Sequence, residues 1–243
     1  MSLPRYYMVL HSTSSTISLG LFCAEKGPNC LDQVEGKSSV LSATLLLHLD
    51  ALLKKHSLTL KDLAFIGAHL GPGPFTTVRV LLSYVNGLAF AHKTTLIGID
   101  GFDAFLSERS CQTADYTLVL LNAFCNEAYY ALRANLSKTV EKGCLPIDIL
   151  CEKLAHYASY SVEIVGEGAK TFENQIKNLA TSLPGLKVID PLLEFPSLDA
   201  MGAIALKTWM YQNELDTVKL EGHKNLLPLY LKGAVSRMIV KVP

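Results

Sequence analysis

The stretch Gly71-Pro72-Gly73-Pro74-Phe75-Thr76-Thr77-Val78-Arg79 separates two segments of different period. Ahead of it, Ala64 to Leu70 is an apolar run that predicts a short buried strand. Behind it, Val78, Leu81, Leu82, Val85, Leu88 and Ala89 recur at helical spacing and predict a helix over Val78 to Ala91. The two glycines allow backbone conformations and close approaches that a Cβ would block. The two prolines stiffen the turn and argue against helix before Val78. Thr76 or Thr77 is expected to cap that helix, its hydroxyl accepting an otherwise unpaired N–H. Strand, rigid turn and outward-facing helix N-terminus together can receive an anion. Gly71, Gly73, Thr76 and Arg79 are therefore the candidate contacts to an anion or nucleotide, and a well-built turn accounts for the same residues.

Toward the N-terminus, Tyr6 to Ser12, Thr16 to Ala24 and Cys30 to Glu35 predict three strands. A helix is expected from Ser38 or Ser39 to about His56. On the other side follow a strand over Thr94 to Ile99 and a short helix over Phe102 to Glu108. The second half repeats the theme: strands at Thr117 to Ala123, Glu127 to Arg133, Val162 to Gly166 and Leu186 to Ile189, with helices at Pro146 to Tyr157, Phe172 to Ala180 and Ser197 to Asn213. The tail after Gly222 is expected to be extended. A polar stretch near Ser110 marks the boundary between two lobes, 1–110 and 111–243, with the C-terminal segment returning to the first.

Bulk composition narrows the function. Apolar residues make up 49% of the 243 and charged residues 18%, which describes a packed protein rather than a disordered one. Net charge is zero and no Lys/Arg cluster stands out, which argues against strong nucleic-acid binding by this chain alone. No apolar run approaches the roughly 20 residues of a membrane span. Neither does any early segment read as a secretory signal, so a cytoplasmic location is expected. Six cysteines, none in a Cys-x-x-Cys pair, read as reduced and mostly buried thiols. The seven histidines include no His-x-x-x-His pair, so no helical metal site is expected.

Gly71, Pro72, Gly73, Phe75, Thr76 and Arg79 match the Gly-Pro-Gly-Ser-Phe-Thr-Gly-Leu-Arg signature of the TsaB (YeaZ) family. Ile97-Gly98-Ile99-Asp100-Gly101-Phe102-Asp103-Ala104-Phe105 resembles the family's Val-Gly-Val-Ser-Ser-Leu-Glu-Ala-Leu. Leu227-Pro228-Leu229-Tyr230-Leu231-Lys232 resembles its Ala-Pro-Val-Tyr-Leu-Arg. Gly166 and Gly168 resemble its Gly-x-Gly-Ala turn. The resemblance implies an α/β protein of the actin-like ATPase and sugar-kinase (ASKHA, ribonuclease H-like) fold, two lobes each with a mixed sheet flanked by helices.

The departures fall where that superfamily handles metal and phosphate. The family's opening Ile-Asp-Thr-Ser corresponds to Leu10-His11-Ser12-Thr13-Ser14, so His11 stands in the aspartate's place. Neutral imidazole is a poor ligand for hard Mg²⁺. Its Asp-Ala-Arg-Arg-Gly-Glu-Val-Tyr corresponds to Asn122-Ala123-Phe124-Cys125-Asn126-Glu127-Ala128-Tyr129, which keeps only the glutamate and tyrosine of its polar groups. No cofactor is assigned; ATP or ADP, if it enters the lobe interface, is expected to bind weakly and without turnover.

Two helices carry apolar residues all round, where a surface helix ordinarily has one stripe. In the first, Leu41, Leu45, Leu49 and Leu52 make one face and Val40, Ala43, Leu47 and Ala51 another. In the second, Val80, Tyr84, Gly87 and Ala91 lie opposite the core stripe. Burial between sheet and tail explains this pattern, and so does a face that a second protein covers. The candidate partner-binding residues are Leu41, Leu45, Val80, Tyr84, Gly87 and Ala91. The resemblance implies that the partner is a TsaD-like catalytic subunit, with a homodimer when the chain is alone, a TsaE-like ATPase reached through the complex, and tRNA contacted only through the complex. It further implies a non-catalytic subunit that activates TsaD for threonylcarbamoyl transfer to the adenosine beside the anticodon of ANN-decoding tRNAs. The alternatives are a small-molecule kinase, with Asp100, Asp103 and Glu127 as its cleft acids, and a glycoprotease-type peptidase, for which neither a metal pair nor a nucleophile motif is present.

Overall fold

The computed structural model describes residues 5–27, 29–108, 113–136, 140–189, 192–214 and 225–232. The boundary expected near Ser110 lies outside them. In chain order the elements are β1 (Tyr6–Ser12), β2 (Thr16–Cys23), β3 (Cys30–Lys37), α1 (Ser38–Lys55), β4 (Leu63–Gly71), α2 (Phe75–His92), β5 (Thr95–Asp100) and α3 (Gly101–Glu108). The second half follows with β6 (Tyr116–Asn122), β7 (Glu127–Ala134), β8 (Val140–Pro146), α4 (Ile147–Ala155), β9 (Val162–Val165), α5 (Gly168–Thr171), α6 (Glu173–Ser182), β10 (Leu186–Val188) and α7 (Leu198–Glu214).

The two halves have one topology. The first sheet runs β3-β2-β1-β4-β5 and the second β8-β7-β6-β9-β10, in each case with three antiparallel strands followed by two parallel ones. These are two mixed sheets flanked by helices, the two-lobed actin-like arrangement.

Strand alternation sorts the core. On β1, Met8 and Leu10 pack with Ile66 and Ala68 of β4 beneath α1 and α2. Tyr7 and Val9 point the other way, with Phe65, Met201 and Ala205, against α7. The last long helix thus covers the open face of the first sheet. Phe102, Phe105 and Leu106 of α3 pack on Val119, Leu121, Ala131 and Val165 of the second sheet. One apolar cluster therefore joins the lobes.

Three expectations are corrected. Strand β8 was not foreseen; its sequence Val-Glu-Lys-Gly-Cys-Leu-Pro is polar because it forms an edge, bonded among the described residues only to β7. Helix α2 begins at Phe75, with Pro74 as its N-cap and no side-chain cap, so neither Thr76 nor Thr77 caps it. At φ −58° Pro74 suits a position whose missing N–H costs nothing. Among the described cysteines, Cys23 is buried, Cys30, Cys144 and Cys151 are half-buried and Cys125 is exposed; all five are free thiols. No helix among the described residues is long and apolar enough to cross a membrane.

Candidate functional site

The site lies where the C-terminal ends of β1, β4 and β5 meet the second lobe. The turn after β1 is held by Thr13, whose Oγ1 accepts from the Thr16 and Ser15 N–H groups at 2.9 and 3.2 Å. Parallel pairing of Leu10 with Ala68 sets the following residues, His11 and His69, side by side. Each is 4% exposed, and their rings stand edge to face with centroids 5.0 Å apart. Burial pushes the His69 imidazole down to about 4, against backbone contacts to Ser12 and Gly71 that raise it. Burial, then the neighbouring His69, holds His11 well below the ordinary imidazole value. Both rings are therefore neutral near pH 7. Gly101 makes room for them: a Cβ there would lie 2.4 Å from His69 Nε2 and 3.2 Å from the Gly71 carbonyl oxygen.

The opposite wall belongs to the second lobe. Asn122 closes β6; its N–H donates to Glu167 Oε1 at 3.0 Å, and its Oδ1 accepts from the Phe124 N–H at 2.8 Å. Phe124, Cys125 and Asn126 then take three successive left-handed conformations, with φ of 59°, 54° and 60°. Each costs an L-residue roughly 1–2 kcal/mol. The turn holds Phe124 outward, 57% exposed. Between the walls is a cavity of about 160 Å³, lined by His11, Ser12, His69, Gly73, Asn122 and Glu167 among others.

Lysines tie the lobes together at the rim. Lys142 of β8 donates to Asp100 Oδ2 at 2.7 Å and Asp103 Oδ1 at 2.6 Å. Burial raises the Asp100 carboxyl above its ordinary value, and the Lys142 bond opposes that rise. Lys232 pairs with Glu127 and donates to the Ala123 carbonyl at 3.2 Å. The segment carrying Lys232 straps the first lobe: Leu226 exchanges two hydrogen bonds with the Asn86 side chain, and the Leu229 N–H donates to the Leu70 carbonyl at 2.8 Å.

An actin-like ATPase fold implies a nucleotide with Mg²⁺ in this cleft, and the residues present do not fit one. A cavity of about 160 Å³ is well below the roughly 300 Å³ of ordinary small-molecule pockets. Two neutral imidazoles and an amide stand where hard oxygen ligands are needed. The three acids considered for a kinase, Asp100, Asp103 and Glu127, are each held by a lysine.

The sequence-derived residues do not converge on one point. Gly71, with φ +106°, and Gly73 shape the turn beside the cleft, whereas exposed Thr76 and Arg79 line a shallow pocket on α2 with Val80 and Tyr84. Leu41 and Leu45 are corrected as partner-contacting residues: at 3% and 1% exposure they fill the core beneath α1. The outer side of that helix belongs to Val40, 61% exposed, Leu47, 71% exposed, and exposed Ala43 and Ala51. On α2, Gly87 and Ala91 are exposed, while half-buried Tyr84 donates to the Ser42 carbonyl at 2.8 Å and joins the two helices. His69, Lys142 and Phe124 were missed as site residues. The signal for His69 was Gly101, a glycine where the resembling motif has serine.

No curated protein sequence matches the chain. A family model does match, over residues 38–195, well over half of the chain: TsaD, tRNA N6-adenosine threonylcarbamoyltransferase. The chain belongs to the TsaD family. Solved structures similar to this TsaD-family chain include YeaZ from Pseudomonas aeruginosa, with TM-score 0.63 and 17% identity over 93% of this chain and 99% of that one. A second is an uncharacterized protein with similarity to peptidase YEAZ from the same organism, with TM-score 0.63 and 19% identity over 93% and 99%. A Bacteroides thetaiotaomicron protein with an actin-like ATPase fold and unknown function follows, with TM-score 0.50 and 7% identity over 83% and 96%. At these identities the likeness carries the fold. The chain shares its fold with the YeaZ structures, and its membership of the TsaD family relates its role to tRNA modification.

Proposed function

We propose that this chain is a non-catalytic subunit that binds and activates a TsaD-type catalytic subunit. The activated subunit transfers the threonylcarbamoyl group to the adenosine beside the anticodon. The observation that carries this reading is the uncovered apolar face of α1 and α2, where Val40, Leu47 and Phe90 are 61%, 71% and 75% exposed. Monomeric proteins rarely leave such a face to water. Apart from its own helix, Gly87 has no described atom within 4 Å of where its Cβ would be, so a partner backbone can approach closely there.

The partner is activated by population shift, through contacts that favour one of its conformations. No side chain is donated to the chemistry, consistent with a cleft in which His11 and Asn122 stand in place of acids, Asp100, Asp103 and Glu127 are engaged by lysine, and Glu167 accepts from the Asn122 N–H. Alone, the chain uses the same face to form a homodimer; the TsaE-type ATPase and tRNA are met through the complex, in the cytoplasm. Reconstitution tests this. The TsaD counterpart from the same genome, supplied with tRNA and threonylcarbamoyl-adenylate, is expected to modify tRNA only when the chain is added. Equal modification without it removes the activating role.

A further inference from the structure

The cleft that does not fit a nucleotide holds hydrogen-bonding groups that the fold leaves unused. His11 is 4% exposed. Its ring meets that of His69, yet neither of its nitrogens has a hydrogen-bond partner among the described residues. A buried polar group left unpaired is costly. The His11 ring lines the cavity of about 160 Å³ between the lobes, and Ser12 and Asn122 line it too. Of the Asn122 side chain only Oδ1 is engaged among the described residues, by the Phe124 N–H. Phe105, Leu121 and Phe195 give the same cavity an apolar wall. Exposed Ser14 and Phe124 belong to its lining, so it opens to solvent.

We propose that this cavity binds a small uncharged molecule with a carboxamide at one end and an apolar body at the other. Size sets the upper bound: cavities of about 150 Å³ hold benzene, so about six non-hydrogen atoms fit. Charge narrows the class. Among the described residues neither lysine nor arginine lines the cavity, and one carboxylate, Glu167, does, which excludes an anion. Glu167 already accepts from the Asn122 N–H at 3.0 Å and the Thr171 hydroxyl at 3.3 Å. The burial that keeps both imidazoles neutral opposes a cation as well. A neutral imidazole offers one donor and one acceptor, and a carboxamide offers the complementary pair. With His11 and Ser12 on the first lobe and Asn122 on the second, such a molecule bridges the lobes. The site goes beyond the proposed association, since it is separate from the α1–α2 face and docking there can fail while this site stands.

The test uses the full-length chain alone near pH 7, titrated with isobutyramide and with two charged analogues of similar shape, isobutyrate and isobutylamine, by protein-observed NMR. Isobutyramide should bind saturably in the millimolar range, and both analogues more weakly. Contacts between its methyl protons and the His11 and His69 ring protons should appear in nuclear Overhauser spectra, which locates the site in the native chain without any variant. His11→Leu removes a buried unpaired polar group and is expected to fold. It should weaken isobutyramide binding at least about 5-fold, because the bound amide then lacks a partner. His11→Gln keeps a donor and an acceptor and should lose less. Absence of saturable binding in the millimolar range, a charged analogue bound as tightly as the amide, contacts to other residues only, or unchanged affinity in His11→Leu overturns the proposal.

Discussion

The imidazoles of His11 and His69 meet edge to face, ring centroids 5.0 Å apart, at the floor of the cleft between the lobes. Their neutrality links folding to pH. An unfolded histidine binds a proton below about 6.5, whereas folded His69 does so only below about 4. Between those values the unfolded state holds more protons, so stability falls as pH drops through this window. The loss from His69 is on the order of 3 kcal/mol. Urea midpoints at pH 7.0, 5.5 and 4.5 should decline steeply in the native chain and less in His69→Gln. Parallel declines would contradict the assignment.

Gly101 and His69 should be energetically coupled. Gly101→Ala places a methyl group 2.4 Å from His69 Nε2 and is expected to cost about 1–3 kcal/mol. In a His69→Ala background the cost should shrink by at least about 1 kcal/mol, because the space is then free. A double-mutant cycle by chemical denaturation reads this, and additive costs would exclude it.

Tyr7 offers a stabilising change. It is 0% exposed, stacked between Phe22 at 5.0 Å and Phe65 at 4.7 Å, and its hydroxyl finds no hydrogen-bond partner among the described residues. Tyr7→Phe removes a buried polar group left unpaired, and should raise stability by about 1 kcal/mol. A lowered melting temperature would show that the hydroxyl is satisfied.

Lys142 restrains the charge of Asp100. Burial raises that carboxyl, and the lysine counteracts it. In Lys142→Met the Asp100 titration, followed by carboxyl carbon NMR, should move further upward. An unmoved titration would mean that the bridge does not persist in solution.

Much of the fold was legible because β1, β2 and β4 are apolar runs bounded by turn residues and α1 and α2 keep helical spacing. Strand β8 was not, since Val140 to Pro146 owes its conformation to pairing with β7 rather than to its own pattern. Pro74 concealed the true start of α2 because proline serves at a helix entrance as readily as it breaks a helix. The replacements at His11 and Asn122 could be read against a motif. Nothing local announces His69, which joins the site only through β1–β4 pairing, or Lys142, which lies on the unforeseen strand. Leu41 and Leu45 were placed on the wrong side of α1 because both its faces are apolar, and spacing alone does not say which one meets the sheet.

The most direct test of the proposed association is gel filtration of the chain with its TsaD counterpart at micromolar concentration. Leu47→Asp and Ala91→Asp, both at exposed positions of the α1–α2 face, provide the comparison. The native chain should co-elute with the counterpart as a heterodimer. Each variant should keep its melting temperature and elute separately. A native chain that ignores the counterpart, or variants that still co-elute with it, would contradict docking through this face.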